Sequence, residues 1–195
     1  MSKNFDTVFE SFTKSVNKAE ELLEDAYSNN NVIKNDILSM TINMLDIQRA
    51  FATTYGDRKA VETVDKKIEK LESIYNKSFN LSDDKTYIVS RDELYDNMNT
   101  MYERNMVLMS NIYAGYRKMD FSNRQREILS STNILIGNIA DNFLTTQELF
   151  VDLYFSADEK PLLLSRIEDK KQILNRSLKH QEASEFDARL NHHRR

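Results

Sequence analysis

Apolar residues recur at every third or fourth position along most of this chain, which is the spacing of one face of an α-helix. The first segment shows the pattern well, because Phe5, Phe9, Phe12 and Val16 form one stripe while charged residues occupy the opposite side. Polar stretches interrupt the pattern and divide it into amphipathic segments. We therefore predict six helices, over about residues 5–27, 32–54, 57–79, 90–118, 122–155 and 156–178.

Glycine and proline are rare, with three glycines and one proline among 195 residues. A β-sheet protein of this length needs many tight turns, and such turns draw heavily on these two residues. The sequence therefore predicts an all-α protein, in which about six long antiparallel helices form an elongated helical bundle with seams of the coiled-coil kind. Periodicity is equally compatible with one bundle and with two three-helix halves, so both arrangements stay open.

The pattern also divides the chain into four parts. Three predicted helices fill an N-terminal half, 1–80, and three more fill a C-terminal half, 90–180. Between them, 81–89 contains a polar turn and a short β-prone run, which together predict an extended connector. Beyond residue 180 the apolar pattern fades, and we expect 181–195 to be a polar tail that frays.

Local signals predict several helix ends. Ser90 with Glu93, and Ser122 with Gln125, have the spacing of a capping box, in which side chains satisfy the free amides of the first helical turn. Gly56 stands where a left-handed glycine would terminate the second helix. We therefore predict that helices begin just after Ser90 and Ser122, and that Gly56 ends the second helix in a left-handed conformation.

Residues 120–129 resemble the opening of a helix-turn-helix of bacterial regulators, since a cap is followed by arginines, an acid and an aliphatic pair. That motif requires a break before its recognition helix. The sequence from Ser130 to Phe143 instead continues the same helical pattern. We therefore expect one long helix here and assign no DNA-binding role on this resemblance.

Charge and composition narrow the classes of function. The formal net charge is −4 and the isoelectric point is about 5.5, so the chain lacks the basic excess of a protein held mainly by phosphates. Its N-terminal segment is amphipathic and acidic, unlike a secretory signal, and no apolar run approaches the ~20 residues of a membrane span. We expect a cytoplasmic protein without a membrane partner. Frequent Asn, Lys, Ile, Asp and Ser are typical of AT-rich coding sequences, as in low-GC bacteria and their phages.

The residues of common catalytic and cofactor sites are absent from the sequence. There is no cysteine, no Gly-x-Ser-x-Gly motif and no glycine-rich phosphate loop, and the three histidines lie near the C-terminal end. A di-iron bundle would need Glu-x-x-His on two helices, and this motif does not occur. Carboxylates one helical turn apart are interpreted as solvated helix faces; they are Glu20 with Glu24, Asp92 with Asp96, and Glu148 with Asp152. We therefore predict a non-enzymatic protein with no catalytic, cofactor-binding or metal-binding residues.

A row of tyrosines and methionines on the fourth predicted helix is the most suggestive feature of the chain. Methionine adapts to irregular partners, and tyrosine is enriched at interfaces because its ring is apolar and its hydroxyl is polar. We predict that this row binds a partner; its residues are Tyr102, Met106, Met109, Tyr113 and Tyr116.

The alternative interpretation is that this row packs in the core against the third and fifth helices. We expect Met101 and Leu108, on another side of the helix, to be core residues, and Met106 and Tyr113 to face a partner. Asn105 falls on the main apolar seam, where a polar residue often fixes the register of packed helices.

These observations predict a non-enzymatic helical protein-interaction module: an assembly, adaptor or inhibitory protein, of phage origin on composition. Its expected partner is another protein or a second copy of the chain. The alternative is a helical nucleic-acid-associated protein, such as a DNA-packaging or regulatory subunit. That function would require Arg117, Lys118, Arg124 and Arg126 to converge on one exposed face.

Overall fold

A computed structural model describes residues 2–79, 88–118 and 122–192, and the side chains of 2–79, 88–115 and 122–181. Within these ranges the chain forms six helices and no strand, which confirms the predicted all-α fold. The helices are α1 (Lys3–Ser28), α2 (Lys34–Tyr55), α3 (Arg58–Tyr75), α4 (Arg91–Lys118), α5 (Asn123–Tyr154) and α6 (Lys160–His192).

Most helix ends follow from short-range side-chain contacts. The predicted capping box at Ser122 is confirmed, because its hydroxyl accepts from the Gln125 amide while the Gln125 side chain accepts from the Ser122 amide. α5 then continues to Tyr154 without the break that a helix-turn-helix needs. α3 ends at Tyr75, earlier than predicted, because Asn76 adopts a left-handed conformation with φ 49°.

The prediction of a left-handed glycine at Gly56 is wrong. Gly56 does follow the end of α2, and its amide donates to the Ala52 carbonyl, but its φ is −97° and its backbone is extended. The position suits glycine because it has no room for a side chain. A Cβ there would lie 2.7 Å from the Ala52 carbonyl oxygen and 2.7 Å from the Phe5 ring. The residue lets the start of α1 pack directly on the end of α2.

Four helices, α1, α2, α4 and α5, form a closed ring in which each packs on the next. Hydrogen bonds between their ends show that neighbours in the ring are antiparallel. Hydrogen bonds record the pairing of α1 with α5: the Ser11 and Thr146 hydroxyls lie 2.7 Å apart, and the Asn31 amide donates to Thr132 over 2.9 Å. Because α1 and α2 pack on α5 and α4, the two predicted halves of the chain share one core.

The remaining helices lie outside this ring, α3 against α2 and α6 against α5. α3 ends near the start of α2, where the Lys77 ammonium donates to Asn35 over 2.7 Å. At the other end of α2 the Val89 amide donates to Thr54 over 3.2 Å. The connection from 76 to 90 therefore joins opposite ends of the bundle; most of the predicted connector 81–89 lies outside the described residues.

Aromatic rings fill the end of the core where α1 begins. Phe5 stacks on Phe51 with ring centroids 5.3 Å apart, and Phe51 also meets the edges of Phe150 and Tyr154. Such offset and edge-on contacts add to the free energy of burying the rings. This end of the bundle is consequently held by a cluster of contacting aromatic rings.

Candidate partner-binding site

The tyrosine and methionine row of α4 lies beneath α6 of the same chain. Tyr102 is 7% exposed and its hydroxyl donates to the Lys170 carbonyl of α6 over 3.1 Å. Met109 is 1% exposed, whereas Met106 and Tyr113 are half-buried. The Tyr116 side chain lies outside the described residues.

A glycine on α5 lets α6 approach this row closely. A Cβ on Gly137 would lie 2.5 Å from a Leu178 methyl group of α6 and 3.1 Å from the Met109 methyl group of α4. Two residues beyond Leu178 on α6, the His180 ring lies 6.2 Å from the Tyr113 ring of α4. The three helices therefore meet along the row, and Tyr102 and Met109 can reach a partner only if α6 moves. The partner-binding role of the row stays a prediction.

Beside the row, polar side chains join α6 to α4 and α5. Asn99 of α4 accepts hydrogen bonds from the Lys170 ammonium and, over 2.8 Å, from the Gln147 amide. Asn133 of α5 donates to Gln181 over 3.0 Å and to the Met109 carbonyl over 3.2 Å. We call Asn99, Asn133, Gln147, Lys170 and Gln181 the polar seam.

An ion pair between α6 and α5 lies next to these polar contacts, at the residue that follows Lys170. The Lys171 ammonium donates to the Glu148 carboxylate of α5 over 2.5 Å. Lys171 interrupts the apolar stripe of α6, and its pairing with Glu148 explains how a lysine is accommodated there. Together with the polar seam, this pair matches particular α6 residues to particular α5 residues and so determines how the two helices align.

Several buried amide atoms of α4 and α5 have no hydrogen-bond partner among the described residues. They are the Asn105 nitrogen and the side-chain oxygens of Asn133 and Gln147. A buried polar atom without a partner costs roughly 1–3 kcal/mol of stability. Asn105 is 2% exposed, as expected for a residue of the main seam. Hydrophobic side chains of similar size at these three positions would avoid the cost of an unpaired polar atom. The ring of helices nevertheless contains polar side chains there.

Burial also changes the acidity of groups under α6. It lowers the pKa of the Lys170 ammonium below its ordinary value, an effect that the nearby Glu103 carboxylate opposes. It raises the pKa of the Tyr102 phenol. The Lys170 ammonium also lies 5.2 Å from the centre of the Tyr102 ring, a favourable cation–π distance. The charge of Lys170 is therefore retained by specific contacts rather than by full hydration.

The apolar contribution of α6 is small. Of its described side chains, only Ile167 and Leu174 are fully buried, while Leu163, Leu164 and Leu178 are partly buried. By comparison, α1 buries nine side chains. Among the described helices α6 is thus held by a narrow apolar seam, reinforced by the polar seam and the pair of Lys171 with Glu148.

Other surfaces of the described residues carry fewer features of a binding site. A shallow groove of about 330 Å³ between α1 and α5 is lined mainly by hydroxyl and amide side chains that bond within the chain. Across the described residues, no group of three or more acidic or histidine side chains could hold a metal ion. The carboxylates Glu20, Glu148 and Asp152 from the predicted pairs contact lysines of neighbouring helices.

The residues required by the nucleic-acid alternative are only partly described. Arg124 is exposed and Arg126 is half-buried in the first turn of α5, whereas the side chains of Arg117 and Lys118 lie outside the described residues. Their convergence on one face stays a prediction.

The sequence did not predict the polar seam. Its members come from three helices and have no spacing in common, so no motif could have found them.

None of the described helices is both long enough and apolar enough to cross a bilayer. Comparisons of the chain with protein-family models, with curated proteins and with solved structures found no match.

Proposed function

We propose that this chain is a non-enzymatic helical protein-interaction module that acts in the cytoplasm as an assembly, adaptor or inhibitory protein. Its binding site is the groove of α4 and α5 that α6 occupies. The observation that supports this proposal is that a row rich in tyrosine and methionine lies beneath a helix with only two fully buried side chains among those described. An origin in a phage or low-GC bacterium rests on composition alone.

The small apolar contact of α6 favours its detachment before the rest of the fold. Burying one leucine or isoleucine contributes about 1.5–3 kcal/mol, and only Ile167 and Leu174 are fully buried among the described side chains of α6. Elements with few buried apolar contacts open locally at a lower free energy than the whole domain. α6 is the described helix that best meets this condition.

Detachment of α6 would create a surface suited to another helix. Tyr102 and Met109 would become accessible and would join the half-buried Met106 and Tyr113 in one row along α4. Amphipathic helices bind such grooves through apolar residues at every third or fourth position. Flexible methionines accommodate partners of different shape, which suits an adaptor.

A pair of introduced cysteines tests whether the groove opens to receive a helix. The chain has no cysteine, and a Cβ on Gly137 would lie 3.2 Å from Leu178 Cγ, so Gly137→Cys with Leu178→Cys places one disulfide between α5 and α6. The probe is a fluorescent peptide of residues 160–192, whose binding is followed by fluorescence anisotropy. We expect the reduced protein to bind the peptide and the oxidised protein to lose this binding.

The two redox states of one protein are the matched controls for each other. Hydrogen exchange checks the disulfide, because α6 amides should exchange more slowly in the oxidised state while α1 amides remain unchanged. Equal peptide binding in both states, or binding in neither, contradicts the proposal.

A further inference from the structure

We infer that the helix received by the groove is the α6 of a second copy of this chain, so that two copies exchange α6 and form a dimer. This inference rests on the proposed function, since it requires the same groove to open. It adds the identity of the occupant and the geometry of the assembly. In such an exchange each copy keeps its own ring of α1, α2, α4 and α5.

The polar seam selects α6 over an unrelated amphipathic helix. Lys170 and Gln181 lie eleven residues apart on α6 and bond to Asn99 of α4 and Asn133 of α5, respectively. An unrelated helix would remove one hydrogen bond from each of these asparagines, leaving Asn99 with Gln147 and Asn133 with the Met109 carbonyl. Hydrogen bonds lost at this partly buried contact would lower the affinity of the unrelated helix relative to α6.

The charge of Glu148 also favours α6 over an unrelated helix in the groove. Glu148 of α5 faces the groove and pairs with Lys171, so a helix that lacks a cation at this position leaves a partly buried carboxylate unpaired. The α6 of a second copy supplies all three of these contacts at the same spacing. The intermolecular interface would therefore reproduce the intramolecular one, and the two arrangements would differ mainly at the turn between α5 and α6.

That turn is short and is closed by a small set of contacts. Residues 155–159 join the two helices, and the Glu159 carboxylate caps α6 by accepting from the Ser156 amide and hydroxyl. Arg91, the first residue of α4, binds the same carboxylate through two nitrogens. Opening the turn breaks the bonds of Arg91 to Glu159, and the Glu159 of a second copy can restore them.

Two single-cysteine chains test the exchange in full-length protein. A size-tagged chain with Gly137→Cys is mixed with an untagged Leu178→Cys chain and oxidised, and products are identified by mass spectrometry; the tagged chain also carries Leu178→Ala, which removes the methyl group that would lie 2.5 Å from the new Cβ. Positions 137 and 178 of different folded chains lie side by side when α6 of one copy packs on α5 of the other. We expect the disulfide between positions 137 and 178 to be the main cross-link between tagged and untagged chains.

The matched control moves the α5 cysteine to an exposed position on another side of that helix. Thr145 lines the shallow groove between α1 and α5, so a tagged chain with Thr145→Cys and Leu178→Ala, mixed with Leu178→Cys, reports random collisions. A chain that carries both Gly137→Cys and Leu178→Cys checks folding, because its internal disulfide forms only in the native arrangement. Glu159→Gln should make the cross-link form faster, because it weakens the turn that must open before exchange.

The outcomes separate this inference from the proposed function. Cross-linking between positions 137 and 178 no greater than in the Thr145→Cys control overturns the exchange. If the labelled α6 peptide still binds the reduced double-cysteine protein, the groove does open to receive a helix, so the proposed function stands and only the exchange between copies is rejected. If neither occurs, both the exchange and the proposed function are rejected.

Discussion

Arg91 and Glu159 join the first residue of α4 to the residue that precedes α6 through two hydrogen bonds, of 3.1 and 2.8 Å. The Arg91 guanidinium also lies 4.1 Å from the centre of the Phe155 ring, which packs between it and the core. One partly exposed arginine thus contacts both the turn and the aromatic end of the bundle. Two guanidinium nitrogens of Arg91 donate to the two carboxylate oxygens of Glu159. A lysine could not form this bidentate contact.

Acid should loosen this turn. Hydrogen bonds from the Ser156 amide and hydroxyl, with the charge of Arg91, hold the pKa of the Glu159 carboxyl below its ordinary value. A carboxyl with a lowered pKa in the fold contributes stability above its unfolded pKa, and this stability is lost as the pH falls through the folded pKa. We expect the melting temperature to fall over that interval in the natural chain, and Glu159→Gln to reduce the slope. A slope unchanged by this substitution would contradict the assignment.

Two glycines should respond oppositely to replacement by alanine. Gly56→Ala places a methyl group 2.7 Å from the Ala52 carbonyl oxygen and the Phe5 ring, and such overpacking costs about 1–3 kcal/mol. Gly115→Ala is the matched control, because no atom lies within 4 Å of its added Cβ and the residue is inside α4. It should gain roughly 0.5–1 kcal/mol from helix propensity. Urea denaturation of both variants measures the difference, and a loss of stability in both would contradict it.

The row on α4 should separate into core and interface positions. Met109→Ala truncates a buried side chain and should cost about 2–5 kcal/mol. Met106→Ser with Tyr113→Ser changes half-buried side chains and should lower the melting temperature far less. Thermal melts of the two variants measure the difference. A large loss of stability in the double variant would identify Met106 and Tyr113 as core residues.

Replacing Gln147 by methionine should leave stability equal or higher. Gln147 is fully buried and its side-chain oxygen has no partner among the described residues, so an apolar side chain of similar shape removes an unsatisfied group. Asn99→Ala is the opposite case, because it takes away the acceptor of both Gln147 and Lys170 and should cost about 1–3 kcal/mol. Guanidinium denaturation measures the free energy of unfolding of both variants. Equal losses in both variants would show that the hydrogen bonds of Gln147 outweigh its unpaired oxygen.

The sequence predicted features that depend on nearby residues and missed those that depend on distant ones. Ser122 and Gln125 are three residues apart, so their capping box was predictable. Asn133 and Gln147 are polar and were not predicted to be buried, because their partners lie at least 24 residues away along the chain. The spacing of the α4 row shows that its members share a face, but it carries no information about which helix lies over that face.

The position of α6 in the chain has a consequence for synthesis. The ring of α1, α2, α4 and α5 is complete once α5 has left the ribosome, whereas the helix that covers Tyr102 and Met109 is translated last of the six. Translation at about 5–20 residues per second gives roughly 2–7 seconds for the residues of α6. During this interval a nascent chain would present the uncovered row to a neighbour on the same messenger RNA, so assembly of two copies would be favoured where ribosomes are closely spaced.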